Sequence, residues 1–266
     1  MSAQMVIFLV FISFALLEVV TDRFLHKEGE VKSDGYVEII GTVILLGITQ
    51  PFILYLAYIG MEYFLPDAKD ALIGYPVIAG IMFLIIFDDM MQYWWHRASH
   101  TFPFLYNLHR AHHNGEYLSV RTVYRNNVFY YFLMPSLWFS GILIYLGLGW
   151  IYAGYVAVKM TVIIGAHSSW RWDAALYKIP QLSWLMWIVE RTISTPSTHS
   201  AHHGKHADDG ITNYKGNFGN LLFFWDVLFG TAKITRKYPK KFGVENLPTS
   251  NWPEQLFWPL IKTKED

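Results

Sequence analysis

The chain contains no cysteine. That excludes disulfides, iron–sulfur clusters, thiolate-bound haem and a cysteine nucleophile together, and it gives no reading of the compartment's redox state. Charge is scarce as well. Only 16% of the 266 residues are charged, against about 25% in an ordinary soluble domain. The 21 basic and 21 acidic side chains cancel, so there is no basic field for nucleic acid and none is expected as a partner. No G-x-G-x-x-G run offers to bind a dinucleotide. What the chain has instead is apolar surface: 53% of it is hydrophobic, the composition of a membrane protein.

The apolar residues fall in runs. Residues 5–20 carry one charge, Glu18, with no Lys or Arg before them and no small-x-small site after. They read as an uncleaved first helix rather than a signal peptide. A polar loop with Arg23, His26, Lys27 and Lys32 follows, its histidine expected to face solvent. Residues 36–64, which Pro51 is expected to kink, and residues 71–95 are long apolar runs, and about 20 residues suffice to span a bilayer. Segments 127–146 and 150–166, joined by G-L-G, read as a tight helical hairpin, and 174–193, interrupted by Pro180, as an interfacial helix. Trp94, Trp95, Trp170 and Trp172 at the inner helix ends, with Trp150 at the hairpin tip, form aromatic belts. The positive-inside rule puts the loop over residues 23–32 in the cytoplasm. Counting helices from there brings every histidine-rich stretch to that same side. The expected fold is all-α: an integral membrane helical bundle of about four to five membrane helices with a cytosolic helical His-rich metal cap, as one domain over residues 1–266.

Eight of the 11 histidines lie in three clusters. His96 and His100 are four apart, so they share a helix face. His109, His112 and His113 repeat that logic at i, i+3, i+4, as do His199, His202 and His203. Imidazole suits iron, zinc, copper and nickel, and eight imidazoles exceed what one ion can use, so two metal ions are expected. The spacing is not that of a zinc protease, because no Glu follows His96 or His199 as H-E-x-x-H requires. At least one of Asp88 and Asp89, within two turns of His96, reads as a carboxylate that holds the second ring nitrogen of a ligand histidine, the alternative being solvation at the helix end. Asp208 and Asp209 are placed to do the same for His202 or His203. Lys159 is either a functional intramembrane charge or a snorkelling side chain. His206 follows Gly204, a helix-ending residue, and is expected to point away.

At this point the residues resemble a family, the fatty acid hydroxylase/sterol desaturase superfamily of membrane di-iron oxygenases. The resemblance rests on D-D-M-M-Q-Y-W-W-H-R-A-S-H (88–100), L-H-R-A-H-H (108–113), T-P-S-T-H-S-A-H-H-G (195–204) and N-Y-K-G-N-F-G-N-L-L-F-F-W-D-V-L-F-G-T (213–231). It covers roughly residues 80–235. The family pattern adds a histidine after the membrane hairpin, matched by His167. Some members have a further one where this chain has Ile163, which does not carry over. The resemblance therefore implies nine ligands: His96, His100, His109, His112, His113, His167, His199, His202 and His203. The W-D-V-L-F-G-T segment reads as an outer wall of the site.

The resemblance also implies the chemistry: two iron ions, O2 as co-substrate, and oxidation of an unreactive C–H bond in a lipid to an alcohol or a double bond. With no nucleotide, flavin or haem motif in the chain, electrons are expected from a separate ferredoxin- or cytochrome b5-like protein. A membrane zinc hydrolase acting on a lipid ester or amide is the alternative, and a histidine-lined metal transporter a third reading. The expected location is a bacterial inner membrane with the site facing the cytoplasm. The C-terminal K-T-K-E-D, which has the form of an endoplasmic-reticulum retrieval signal, points to the alternative location.

Overall fold

Apolar runs of this length cannot be buried in a soluble core of this size, and they form four helices long and apolar enough to cross a membrane. The computed structural model describes residues 2–25, 29–247 and 250–263. His26, Lys27 and the end of the K-T-K-E-D tail at 264–266 lie outside the described residues. The described residues form helices and turns with no strand, apart from one isolated bridge between Gly204 and Phe242. The protein is an integral membrane helical bundle.

The spans are α1 (Ala3–Val20), α2 (Lys32–Phe64), α3 (Val77–Ser99) and the run Pro135–His167. Along α1 and α2, Phe8, Leu16, Ile39, Val43 and Ile48 are exposed, apolar side chains that suit a lipid environment. Before Pro51, the residue that has no N–H to donate, the helix takes a π-helical turn over Leu45–Thr49, and it continues as α-helix through the proline to Phe64. After α3 come α4 (Pro103–His113) and α5 (Val128–Phe132).

The run Pro135–His167 is not one continuous span. It divides into α6 (Pro135–Leu143) and α7 (Gly149–His167) at Gly147, whose φ of 102° only glycine adopts easily. Ser140 on the first arm and Tyr155 on the second both reach Asp88, at 3.1 and 2.8 Å, so the chain reverses between them. This is the hairpin. Lys159, on the returning arm, pairs with Asp88 as well and does not snorkel outward. Asp88 and Asp89 sit in a π-helical turn, Ile85–Met90, and diverge from it. Asp88 serves the hairpin, while Asp89 accepts from Trp225 Nε1 at 2.8 Å. Neither carboxylate holds a histidine, contrary to the sequence expectation: both are taken up in joining helices.

Beyond the hairpin, residues 174–193 do not make one interfacial helix. Proline at 180 cannot continue a ladder, and the chain forms α8 (Trp172–Leu176), a 3-10 turn at Pro180–Leu182, and α9 (Ser183–Thr192). The helix α9 buries Met186 and Glu190 and exposes Trp184, Trp187 and Ile188. Three more helices complete the described chain: α10 (Pro196–His203), α11 (Phe224–Leu228) and α12 (Trp252–Phe257). Helix α1 packs along α7, and Glu18 links them. Its carboxylate accepts from Ser119 Oγ (2.5 Å), Val120 N (3.2 Å), Ser168 Oγ (3.1 Å) and Ser169 N (2.7 Å), immediately beyond His167.

Candidate metal centre

The helix ends bring the histidines together. His96 lies in the last turn of α3 and His100 caps it. Pro103 at the first position of α4 turns the chain back, so that His96 and His109 rings come within 4.7 Å of each other. His167 is the final residue of α7. Helix α10 starts with a capping box between Thr195 and Thr198, has Pro196 at its first position, and is buried along its whole length. It ends at His203, with Gly204 as its cap.

Nine buried or nearly buried histidines form two groups: His96, His100, His109, His113 and His202 in one, His112, His167, His199 and His203 in the other. Within each group the potential ligand nitrogens lie within 4.8 Å of one another. The groups do not follow the sequence clusters. On a helix, residues four apart are offset by about 40° and residues three apart by about 60° to the other side. Accordingly His109 and His113 stay together while His112 turns to the second group. His199 and His203 likewise stay together while His202 turns to the first. Two adjacent sites from one set of helices are the geometric consequence.

Backbone carbonyls and one amide fix the outer edge of the rings. The Nδ1 atoms of His96 and His202 donate to the carbonyls of Phe218 and Gly216, each at 2.7 Å. Those of His112 and His167 donate to Arg125 O at 3.1 Å and Ile163 O at 2.8 Å, and His109 Nδ1 faces Asn126 Oδ1 at 3.0 Å. A carbonyl oxygen can only accept, so these Nδ1 atoms carry the proton and each Nε2 presents a bare lone pair inward. The donor set is neutral: burial first, then the neighbouring rings, holds the imidazoles of His100, His109, His113, His199 and His203 well below their usual pKa range.

Bare lone pairs in a dry interior need a cation. The buried Nε2 atoms of His96, His100 and His202 have no hydrogen-bond partner. His112 Nε2 and His167 Nε2 face each other at 3.3 Å, yet each of these rings has placed its proton on Nδ1, so no hydrogen bond can join them. A metal ion between such nitrogens removes both problems, and the residues present therefore fit one metal in each group. No carboxylate belongs to either group among the described residues.

The remaining sequence candidates lie elsewhere. His206 is half-exposed and its Nδ1 meets Glu245 Oε1 at 3.0 Å. Asp209 does not orient a histidine: it accepts from Ile211 N at 2.7 Å and Thr212 N at 2.6 Å in its own loop, and the Gly216 carbonyl takes the place expected for it at His202. In the W-D-V-L-F-G-T segment, Trp225 and Asp226 point inward while Val227 and Leu228 are exposed. Sequence reasoning also missed Arg125, a fully buried cation. It pairs with Asp34 at 2.7 Å and donates to Ala111 O at 2.8 Å and to Gln255 at 2.9 Å. Its neighbours R-N-N were the only signal.

Compared with known proteins, the chain matches the family model described as Fatty acid hydroxylase over residues 81–231. That stretch includes all nine histidines. No curated protein and no solved structure matches it.

Proposed function

The chain belongs to the fatty acid hydroxylase family, and from that premise we propose that it is a membrane di-iron oxygenase that hydroxylates or desaturates a lipid C–H bond. The observation that carries this reading is the facing pair of bare nitrogens on His112 and His167, beside the partnerless Nε2 atoms of the other group. Two bound irons would supply dioxygen activation and C–H oxidation. His96, His100, His109, His113 and His202 would hold one, and His112, His167, His199 and His203 the other.

The chain's own contribution is placement and dryness. Carbonyls of Phe218, Gly216, Arg125 and Ile163 aim the rings. Leu108, Ala111 and Ala201, none with exposed surface, close the helices around them. The ends of α3 and α7 carry His96 and His167, so a lipid can approach laterally from the bilayer. The site shares its side of the bundle with the basic loop, since Arg23 donates to Ser169 O at 2.8 Å, two residues from His167. By the positive-inside rule that side is cytoplasmic, where a separate ferredoxin- or cytochrome b5-like carrier would deliver electrons. In a bacterium the membrane would be the inner one.

A zinc hydrolase would need a carboxylate base beside the metal. Asp88, Asp89 and Asp209 are all bound elsewhere, which favours the oxygenase. Lipid profiling of cells with and without the gene, grown under isotopically labelled O2, tests this directly. The expected result is a gene-dependent lipid carrying a labelled hydroxyl, or an O2-dependent double bond. A gene-dependent lipid cleavage that proceeds without O2 would refute the oxygenase.

A further inference from the structure

We infer that residues 213–219 form a strap that tunes only one of the two metal positions, the five-histidine one, with Asp226 as its positioning residue. This rests on the two-metal reading of the site and goes beyond it by assigning the two metals separate supports.

The strap offers two carbonyls, of Gly216 and Phe218, to His202 and His96. Those histidines come from α10 and α3, over a hundred residues apart, and both belong to the five-histidine group. The spacing of two carbonyls on one short loop thus sets the spacing of two rings, whose centroids are 4.6 Å apart. The loop is rigidly held. Asp226, with no exposed surface, accepts from Phe218 N at 2.8 Å, Gly219 N at 2.6 Å and Thr231 Oγ1 at 2.6 Å. Asn217, at φ 55°, donates to Thr198 O at 2.9 Å and Lys233 O at 3.0 Å and accepts from Lys233 N at 2.7 Å. At Gly216 the fit is so close that a Cβ would lie 2.3 Å from Thr231 O.

The four-histidine group is supported by other segments. His112 leans on Arg125 O and His167 on Ile163 O. A carbonyl that accepts the Nδ1 proton orients the ring and raises the basicity of Nε2, and removing such support weakens metal binding by about 10–100-fold. Because Asp226 positions only the strap, its loss should be felt at one metal and not at the other.

The test uses the full chain in detergent, stripped with a chelator and titrated anaerobically with ferrous iron. In Asp226→Asn, which keeps the shape but turns an N–H toward the strap, one iron should bind as in the parent and the other about 10–100-fold more weakly. Two backgrounds separate positioning from general loosening. With His199→Ala, where only the five-histidine group is intact, Asp226→Asn should weaken the remaining iron. With His96→Ala and His100→Ala together, which leave the five-histidine group only three rings, it should have no effect on the iron that remains. If Asp226→Asn does not fold, Thr231→Ala, which removes the hydroxyl that donates to Asp226 at 2.6 Å and leaves the bonds to α10 in place, should show the same selectivity. Equal weakening in both backgrounds, or none in either, overturns the strap's role. A parent protein that binds fewer than two irons would overturn the two-metal reading itself, a different failure from two irons that ignore Asp226.

Discussion

Replacing His112 with alanine should abolish turnover and release metal from the four-histidine group. That group has four potential ligands, and the change leaves three. His112 also stands where the two groups meet: its ring lies 5.2 Å from His109 in one and 4.6 Å from His203 in the other. A cavity there removes a donor and lets both neighbours relax. His206→Ala is the matched control. It removes a half-exposed imidazole bound to Glu245, beyond the end of α10, and should retain both metals with only a modest loss of activity. Metal analysis and product formation on the two variants read the contrast. Parental turnover in His112→Ala would remove that residue from the ligands, and loss of one metal in His206→Ala would add one.

The second large effect is expected at Arg125. Arg125→Met leaves Asp34 buried without its cation, and breaking a buried pair from one side costs about 3–5 kcal/mol. The same guanidinium joins α2, the end of α4 and α12 through Asp34, Ala111 and Gln255. Its loss should also shift the Arg125 carbonyl that holds His112. Thermal unfolding in detergent should show a large drop, with metal lost from the four-histidine group before the other. Adding Asp34→Leu should recover most of the stability, because the uncompensated charge is then gone. A transition within about 1 kcal/mol of the parent for Arg125→Met would mean that Asp34 finds another partner.

The contrast between His112 and Arg125 shows what the sequence makes legible. Runs of apolar residues announce spans through their length alone, and histidines at i, i+3, i+4 announce their own convergence. Gly147 in G-L-G marked the reversal between α6 and α7. The division of each H-x-x-H-H between two groups also follows from helical angles, once α4 and α10 are known to face each other. The supports of the rings were not legible. Asp88 and Asp89 are chemically suited to hold a histidine, but the π-helical turn at Ile85–Met90 directs them to the hairpin and to Trp225. Apart from the Asn126 amide at His109, the atoms that do hold the rings are backbone carbonyls of Gly216, Phe218, Arg125 and Ile163. Every residue has a carbonyl, so composition and spacing cannot point to these four. The positions of Ile163 and His167 show the difference well: the side chain at 163 is apolar, yet its main chain fixes the imidazole one turn later.

The most direct test of the account is the metal content of the full chain purified from iron-replete cells under anaerobic conditions. Two histidine groups with neutral, inward-facing nitrogens predict two irons per chain, both lost together with O2-dependent activity on chelation and both restored by ferrous iron. Active protein with a single metal per chain, or with zinc in place of iron, would contradict it.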